Sequence, residues 1–154
     1  MPAYYVETSA LLKRYRREVG SHLVREFLDN KQDDEAFVTS HFTVLEVSAV
    51  VARWLRGRGL RRQFAQFTAR FLHDLRDYGF EILSLDDVVV REANALLSDY
   101  PLRAPDALHF ATAVRASGTA AADSYYVVCT DKEIGDACSR YGLAVLDPEH
   151  PEAL

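Results

Sequence analysis

Residues 3–13 read Ala-Tyr-Tyr-Val-Glu-Thr-Ser-Ala-Leu-Leu-Lys. Ala3–Val6 has strand character and runs straight into an acid, Glu7. Thr8, a helix-capping residue type, then opens a helix predicted to reach about Tyr15. The same order returns late in the chain, where Tyr125-Tyr-Val-Val-Cys129 is followed by Asp131 and a helical pattern over 132–141. Between them, Ala36–Thr39 and Glu81–Ser84 read as strands, and Ala144–Leu146 is a last one. Ser21 is the expected cap of a helix with Leu23, Val24, Phe27 and Leu28 on one face. A further helix runs from Ser40 to about Arg56, where Gly57 and Gly59 stop it. Leu60–Tyr78 is long and amphipathic, with Leu60, Phe64, Phe67, Phe71 and Leu75 on one face, and Gly79 ends it. Asp86 caps a helix to about Leu97, and Pro105 suits the first turn of another from Ala104 to about Ser117. Gly118–Ser124 is a small-residue loop, the segment expected to be most mobile.

Strands separated by helices require a parallel sheet covered on both faces. The fold class expected is α/β, a three-layer α/β/α sandwich with a central, mostly parallel sheet of about five strands. In such sheets, sites form beyond the C-terminal strand ends, near helix N-termini. Glu7 and Asp131 sit directly there. Asp106 lies in a first helical turn, and Glu46 near the second turn of the helix after the second strand. Asp106 would also complement a helix dipole, and Asp131 would also serve as a cap. Glu46 and Glu7 have apolar neighbours, so a carboxylate buried at either place needs a partner. Four clustered carboxylates repel one another unless a cation neutralises them. Mg2+ or Mn2+ suits oxygen donors, and no His/Cys spacing points to zinc. One or two such ions would activate water and stabilise a leaving oxygen in phosphodiester hydrolysis.

At 154 residues, with 49% hydrophobic and 27% charged side chains, the chain has the length and balance of one globular domain. The formal net charge of −5 hides an asymmetry. Residues 1–70 hold 12 basic and 8 acidic side chains, whereas 71–154 hold 6 basic and 15 acidic. Arg53, Arg56, Arg58, Arg61, Arg62 and Arg70 share one window without an acid, and Lys13, Arg14, Arg16 and Arg17 form a second cluster. Either set is a solvated helix face or a phosphate-binding strip. No apolar run is long enough to span a bilayer, and the first residues lack the pattern of a signal peptide. No membrane association and a cytoplasmic location are therefore expected, with Cys129 and Cys138 as reduced core thiols.

Tyr5–Lys13, Leu102-Arg-Ala-Pro-Asp-Ala-Leu-His-Phe-Ala-Thr-Ala113, Val128-Cys-Thr-Asp-Lys-Glu-Ile134 and Ser40-His-Phe-Thr-Val-Leu-Glu-Val-Ser-Ala49 together resemble the PIN domain, most nearly the VapC-type toxins of bacterial toxin–antitoxin pairs. The resemblance covers nearly the whole chain in order. It implies one PIN-like domain over residues 1–148, with 149–154 as a short acidic tail. It also implies a metal-dependent endoribonuclease using Mg2+ or Mn2+, with Glu7, Glu46, Asp106 and Asp131 as metal ligands and catalytic residues. Thr8, Ser9 and Thr130 become polar neighbours. The implied partners are an RNA substrate and an antitoxin protein, in a homodimer or a toxin–antitoxin hetero-oligomer. Lys13, Arg14, Arg17, Arg53, Arg56, Arg58, Arg61 and Arg62 are the candidates for holding RNA.

The family's first motif carries Asp where this chain has Glu7, so either the pocket is built for Glu or activity is attenuated. A weakened PIN-like module that binds RNA or protein remains an alternative, as does a metal-dependent DNA nuclease or phosphatase. Trp54, Phe64, Phe67 and Phe71 read as core or interface rather than base-stacking platforms. By family resemblance, a groove between the two helices that carry them would receive an antitoxin segment. His109 shares a helix face with Asp106 and reads as a structural or supporting group rather than a general base.

Overall fold

In a computed structural model, the structure describes residues 1–56, 60–120 and 124–151, apart from the side chain of Leu60. Gly57 and Gly59, the RNA-contact candidate Arg58, the middle of the small-residue loop and residues 152–154 of the expected tail lie outside the described residues.

Five parallel strands form the sheet: β1 (Pro2–Val6), β2 (Ala36–Ser40), β3 (Phe80–Leu83), β4 (Ser124–Val128) and β5 (Ala144–Leu146), in the order β3-β2-β1-β4-β5. Seven helices connect them: α1 (Thr8–Leu11, extended by a 3-10 turn at Leu12–Arg14), α2 (Ser21–Asp29), α3 (His41–Trp54), α4 (Leu60–Asp77), α5 (Asp87–Leu96), α6 (Ala104–Thr119) and α7 (Lys132–Tyr141). Both faces of the sheet are covered, as parallel sheets require. Tyr5, Val38 and Val127 face a core with Phe110, Ala113, Ile134 and Cys138 of α6 and α7. The alternate residues Val6, Phe37 and Val128 face a second core with Leu11, Val24, Leu28, Val47, Phe71 and Leu75. Cys129 and Cys138 are buried free thiols, as expected.

The chain leaves β1 for β2 and β3 on one side, and returns for β4 and β5 on the other. Strand order therefore reverses next to β1, and the crevice for a site opens beyond its C-terminal end.

Two expected caps differ. α1 is capped by Glu7, whose carboxylate accepts from the Ser9 N–H, rather than by Thr8. α2 is preceded by Gly20 in the left-handed region (φ 79°). Ser21 instead uses its hydroxyl to donate to the Arg16 carbonyl and to accept from the Glu18 N–H. A Cβ at position 20 would come within 2.7 Å of the Pro148 carbonyl oxygen, so glycine is required there. α6 runs to Thr119, which absorbs Gly118 into a helix rather than a loop. Ser40, Asp86 and Asp131 cap α3, α5 and α7.

Lys13 corrects the basic-cluster reading. Its side chain is 1% exposed, and its ammonium donates to the Val19 carbonyl (2.8 Å), Glu18 Oε1 (3.1 Å) and Glu149 Oε1 (2.5 Å). Its charge fastens the segment after β5 to the turn after α1, and is unavailable to a nucleic acid. Arg14 is similarly engaged, donating to the Tyr78 hydroxyl (3.0 Å) and lying 3.7 Å from Asp29. Lys13→Met leaves Glu149 and the Val19 carbonyl without their shared donor. We expect a loss of about 2 kcal/mol in urea unfolding; an unchanged midpoint contradicts this role for Lys13.

Candidate active site

Glu7 begins as the residue after β1. Its N–H still bonds the Val128 carbonyl (3.0 Å), and the chain then turns into α1. Period-two alternation puts its side chain on the face shared by Tyr5. The carboxylate is 3% exposed, and its Oε2 accepts from both the N–H (2.8 Å) and the hydroxyl of Ser9. The Ser9 oxygen in turn accepts from the N–H groups of Thr130 (3.0 Å) and Asp131 (3.2 Å). One hydroxyl thus ties the ends of β1 and β4 together and fixes the Glu7 carboxylate between them.

Glu46 arrives from α3, which starts where Ser40 accepts from the Thr43 N–H (3.0 Å). Its Oε2 receives the Thr8 hydroxyl at 2.7 Å and His109 Nε2 at 2.5 Å. His109 comes from α6 and is 2% exposed. Nε2 also lies 3.6 Å from Glu7 Oε1, while Nδ1 lies 3.3 Å from the Tyr5 hydroxyl. The hydroxyls of Ser40 and Thr43 lie against the same Tyr5 oxygen, and the Phe42 ring packs 4.9 Å from the imidazole. Among the described residues, Glu7, Glu46 and His109 form the one group of such side chains whose donor atoms lie within 4.8 Å of one another.

Asp106 and Asp131 form an outer tier. Asp106 is half-buried in the first turn of α6. Asp131 caps α7, its Oδ1 accepting from the Ile134 N–H at 3.0 Å.

Electrostatics follow this layering. Burial raises the Glu7 carboxyl above the usual carboxylate range, against the opposing pull of His109 and Ser9. Burial acts the same way on Glu46, but the hydrogen bond and charge of His109 outweigh it and bring that carboxyl below its ordinary value. The difference has a physical source, since Glu46 is partly open to solvent and receives two side-chain donors. Asp106 is raised by burial, then by the charges of Asp131 and Glu133, with Glu46 adding to it. His109, although burial works against its charge, is raised by Glu46, Glu7 and Asp106. These mutual effects place all four acids in one electrostatic unit, with Glu7 and Glu46 in direct contact with His109.

The supporting residues divide. Thr8 and Ser9 act through their hydroxyls, whereas Thr130 contributes its backbone N–H. Arg53 lies close enough to help lower the Glu46 carboxyl. Arg17, Arg56, Arg61 and Arg62 are exposed. Phe71 is buried in the core and Phe67 packs against it, with Tyr15 edge-on to both, while Trp54 lies beneath the Arg16 guanidinium at 5.0 Å. Tyr5 was missed by sequence reasoning and the central place of His109 undervalued. Strand alternation, which pairs Tyr5 with Glu7, was the available signal for the first.

The sequence profile of the PIN domain matches residues 4–138. Ribonuclease VapC35 of Mycobacterium tuberculosis is 33% identical over 144 residues, covering 94% of this chain and 96% of that protein. Two solved structures share the fold. VapC20 of Mycobacterium tuberculosis, described as a sarcin–ricin loop cleaving toxin, has a TM-score of 0.64 at 16% identity, covering 92% of this chain and 96% of the other. VapBC2 of Rickettsia felis, bound to a DNA fragment from its promoter, gives 0.64 at 14% identity, covering 94% and 98%.

A carboxyl whose folded pKa lies above its unfolded value lowers stability as pH rises through its ionisation. Glu7→Gln removes that charge while keeping an oxygen for Ser9. In EDTA at pH 8 the variant should therefore melt about 3 °C higher than the parent, on the order of 1 kcal/mol. A lower melting temperature contradicts the burial argument.

Proposed function

The chain belongs to the PIN domain family, and from that premise we propose that it is a metal-dependent endoribonuclease, the toxin of a type II toxin–antitoxin pair, built as one domain over residues 1–148. The observation that carries this reading is the convergence of Glu7, Glu46 and His109, with Asp106 and Asp131 beside them, at the C-terminal edge of a parallel sheet. Relatedness to a ribonuclease over nearly the full length supports the substrate class.

The residues fit a hard divalent cation, Mg2+ or Mn2+, because the group is rich in carboxylate oxygens and otherwise self-repelling. When bound, the cation supplies positive charge that activates water and stabilises the leaving oxygen of a phosphodiester. Glu7, Glu46, Asp106 and Asp131 hold it. Ser9 and Thr8 keep the two glutamates in place, and burial of Glu7 limits solvent screening of its charge. Arg53, with Arg56, Arg61 and Arg62 further along, holds the RNA backbone. Exposed apolar side chains such as Leu45 of α3 and Leu72 of α4 supply surface for an antitoxin segment. Partner structures among the fold's relatives support a protein partner, in a homodimer or hetero-oligomer.

RNA cleavage should require Mg2+ or Mn2+ and stop in EDTA, and Asp106→Asn should lower the rate at least ~100-fold. Full activity of Asp106→Asn, or cleavage in chelator, defeats the mechanism. DNA and nitrophenyl phosphate, run alongside, should remain uncut.

Glu7 is held by Ser9 and faces His109, so the pocket is built around the longer side chain. Glu7→Asp withdraws the carboxylate by about one methylene, and we expect the cleavage rate to fall about 10-fold or more. A rise instead identifies Glu7 as an attenuating residue.

A further inference from the structure

His109 stands on an otherwise apolar stretch of α6, among Ala107, Phe110, Ala111 and Ala113, all buried. An imidazole buried there is costly unless both ring nitrogens are used. Both have partners. Nδ1 meets the Tyr5 hydroxyl, itself backed by Ser40 and Thr43, and Nε2 meets the two glutamates. Phe42 packs against the ring and limits its rotation.

The distances put Nε2 within reach of a cation shared with both glutamates. Two donors each about 2.1 Å from one small divalent cation lie at most about 4.2 Å apart. Nε2 is 2.5 Å from Glu46 Oε2 and 3.6 Å from Glu7 Oε1, inside that limit on both sides. Its outer nitrogen is held by a neighbouring hydroxyl, the arrangement that fixes ring orientation and tautomer in metal-binding histidines. With the Tyr5 oxygen accepting from Nδ1–H, a cation that displaces the Nε2 proton would meet that nitrogen's lone pair beside the two carboxylates.

We propose that His109 Nε2 is a direct nitrogen donor of the metal site, which adds one imidazole to its carboxylate oxygens and makes it take Mn2+ in preference to Mg2+. This rests on the metal-dependent reading above and deepens it. Imidazole binds first-row transition ions well, whereas Mg2+ strongly favours oxygen and retains its water. The imidazole comes from the same helix as Asp106, one turn on, so α6 serves both tiers. Hydrolysis of RNA needs no further group from His109, whose part is to hold and select the cation.

The test is spectroscopic and independent of turnover. The full-length protein loaded with one equivalent of Mn2+ is examined by pulsed electron paramagnetic resonance. A nitrogen hyperfine coupling typical of directly bound imidazole is expected, and it should vanish in His109→Gln. In competition titrations the preference for Mn2+ over Mg2+ should fall about 10-fold in that variant. Mn2+ bound without nitrogen coupling overturns the assignment and leaves the metal-dependent reading standing. No Mn2+ bound at all overturns both. If His109→Gln does not fold, the spectrum of the unaltered protein decides the matter alone.

Discussion

A carboxylate buried at the end of the central strand is the constraint around which the structure is arranged. Glu7 leaves β1 between β2 and β4, where every surrounding layer is apolar. A charge in that position is tolerable only when dipoles and opposite charges converge on it. The structure provides them in three ways. Ser9 gives Glu7 an N–H and a hydroxyl, the segment after β4 anchors that hydroxyl with the N–H groups of Thr130 and Asp131, and His109 lies close to the carboxylate. These compensations are incomplete, as the raised Glu7 carboxyl shows. The remaining negative field is what a divalent cation, in the proposed function, would neutralise.

Topology explains why the acids come from four separate segments. The reversal of strand order at β1 opens a crevice that no single loop fills. The first residue beyond β1, the second turn of α3, the first turn of α6 and the cap of α7 all border it. Glu46, Asp106 and His109 are carried by helices and Asp131 caps one, so most of the site stands on rigid elements. The 2.5 Å contact between Glu46 and His109 joins α3 to α6 across the sheet edge, and Thr8 ties α1 to the same carboxylate. Glu46 is common to both contacts, so a movement of α3 disturbs both.

The parts legible in the sequence were those set by local chemistry. Strand–helix alternation gave the parallel sheet to within a residue or so at most ends, and Ser40, Asp86 and Asp131 capped where their side chains predicted. Local rules failed where a distant residue competed. Glu7 reaches its own helix N-terminus and displaces Thr8 as cap, because the N–H groups of Thr130 and Asp131, beyond β4, hold Ser9 in place to receive it. Lys13 looked like a surface cation because sequence records charge but not burial. Its partner Glu149 lies 136 positions away and belongs to a stretch that read as a free tail. His109 read only as a structural or supporting group for the same reason, since the two glutamates that define its surroundings lie on other elements.

With Lys13 and Arg14 committed internally, Arg53 at the end of α3 brings positive charge to the site. Glu46 and Arg53 are seven residues apart on one helix, which puts them on the same face two turns apart, or about 10 Å. In the proposed function a single rigid element would therefore present a cation-holding carboxylate and a phosphate-holding guanidinium at fixed separation, and Arg53 already acts electrostatically on Glu46. In the acidic outer tier, burial and the charges of Asp131 and Glu133 raise the Asp106 carboxyl, and Glu46 adds to that effect. In the proposed function a polyanion would be attracted along α3 by Arg53 and accommodated beside Glu7 and Glu46 once a cation offsets their charge, so the chain's net negative charge is no argument against an RNA substrate.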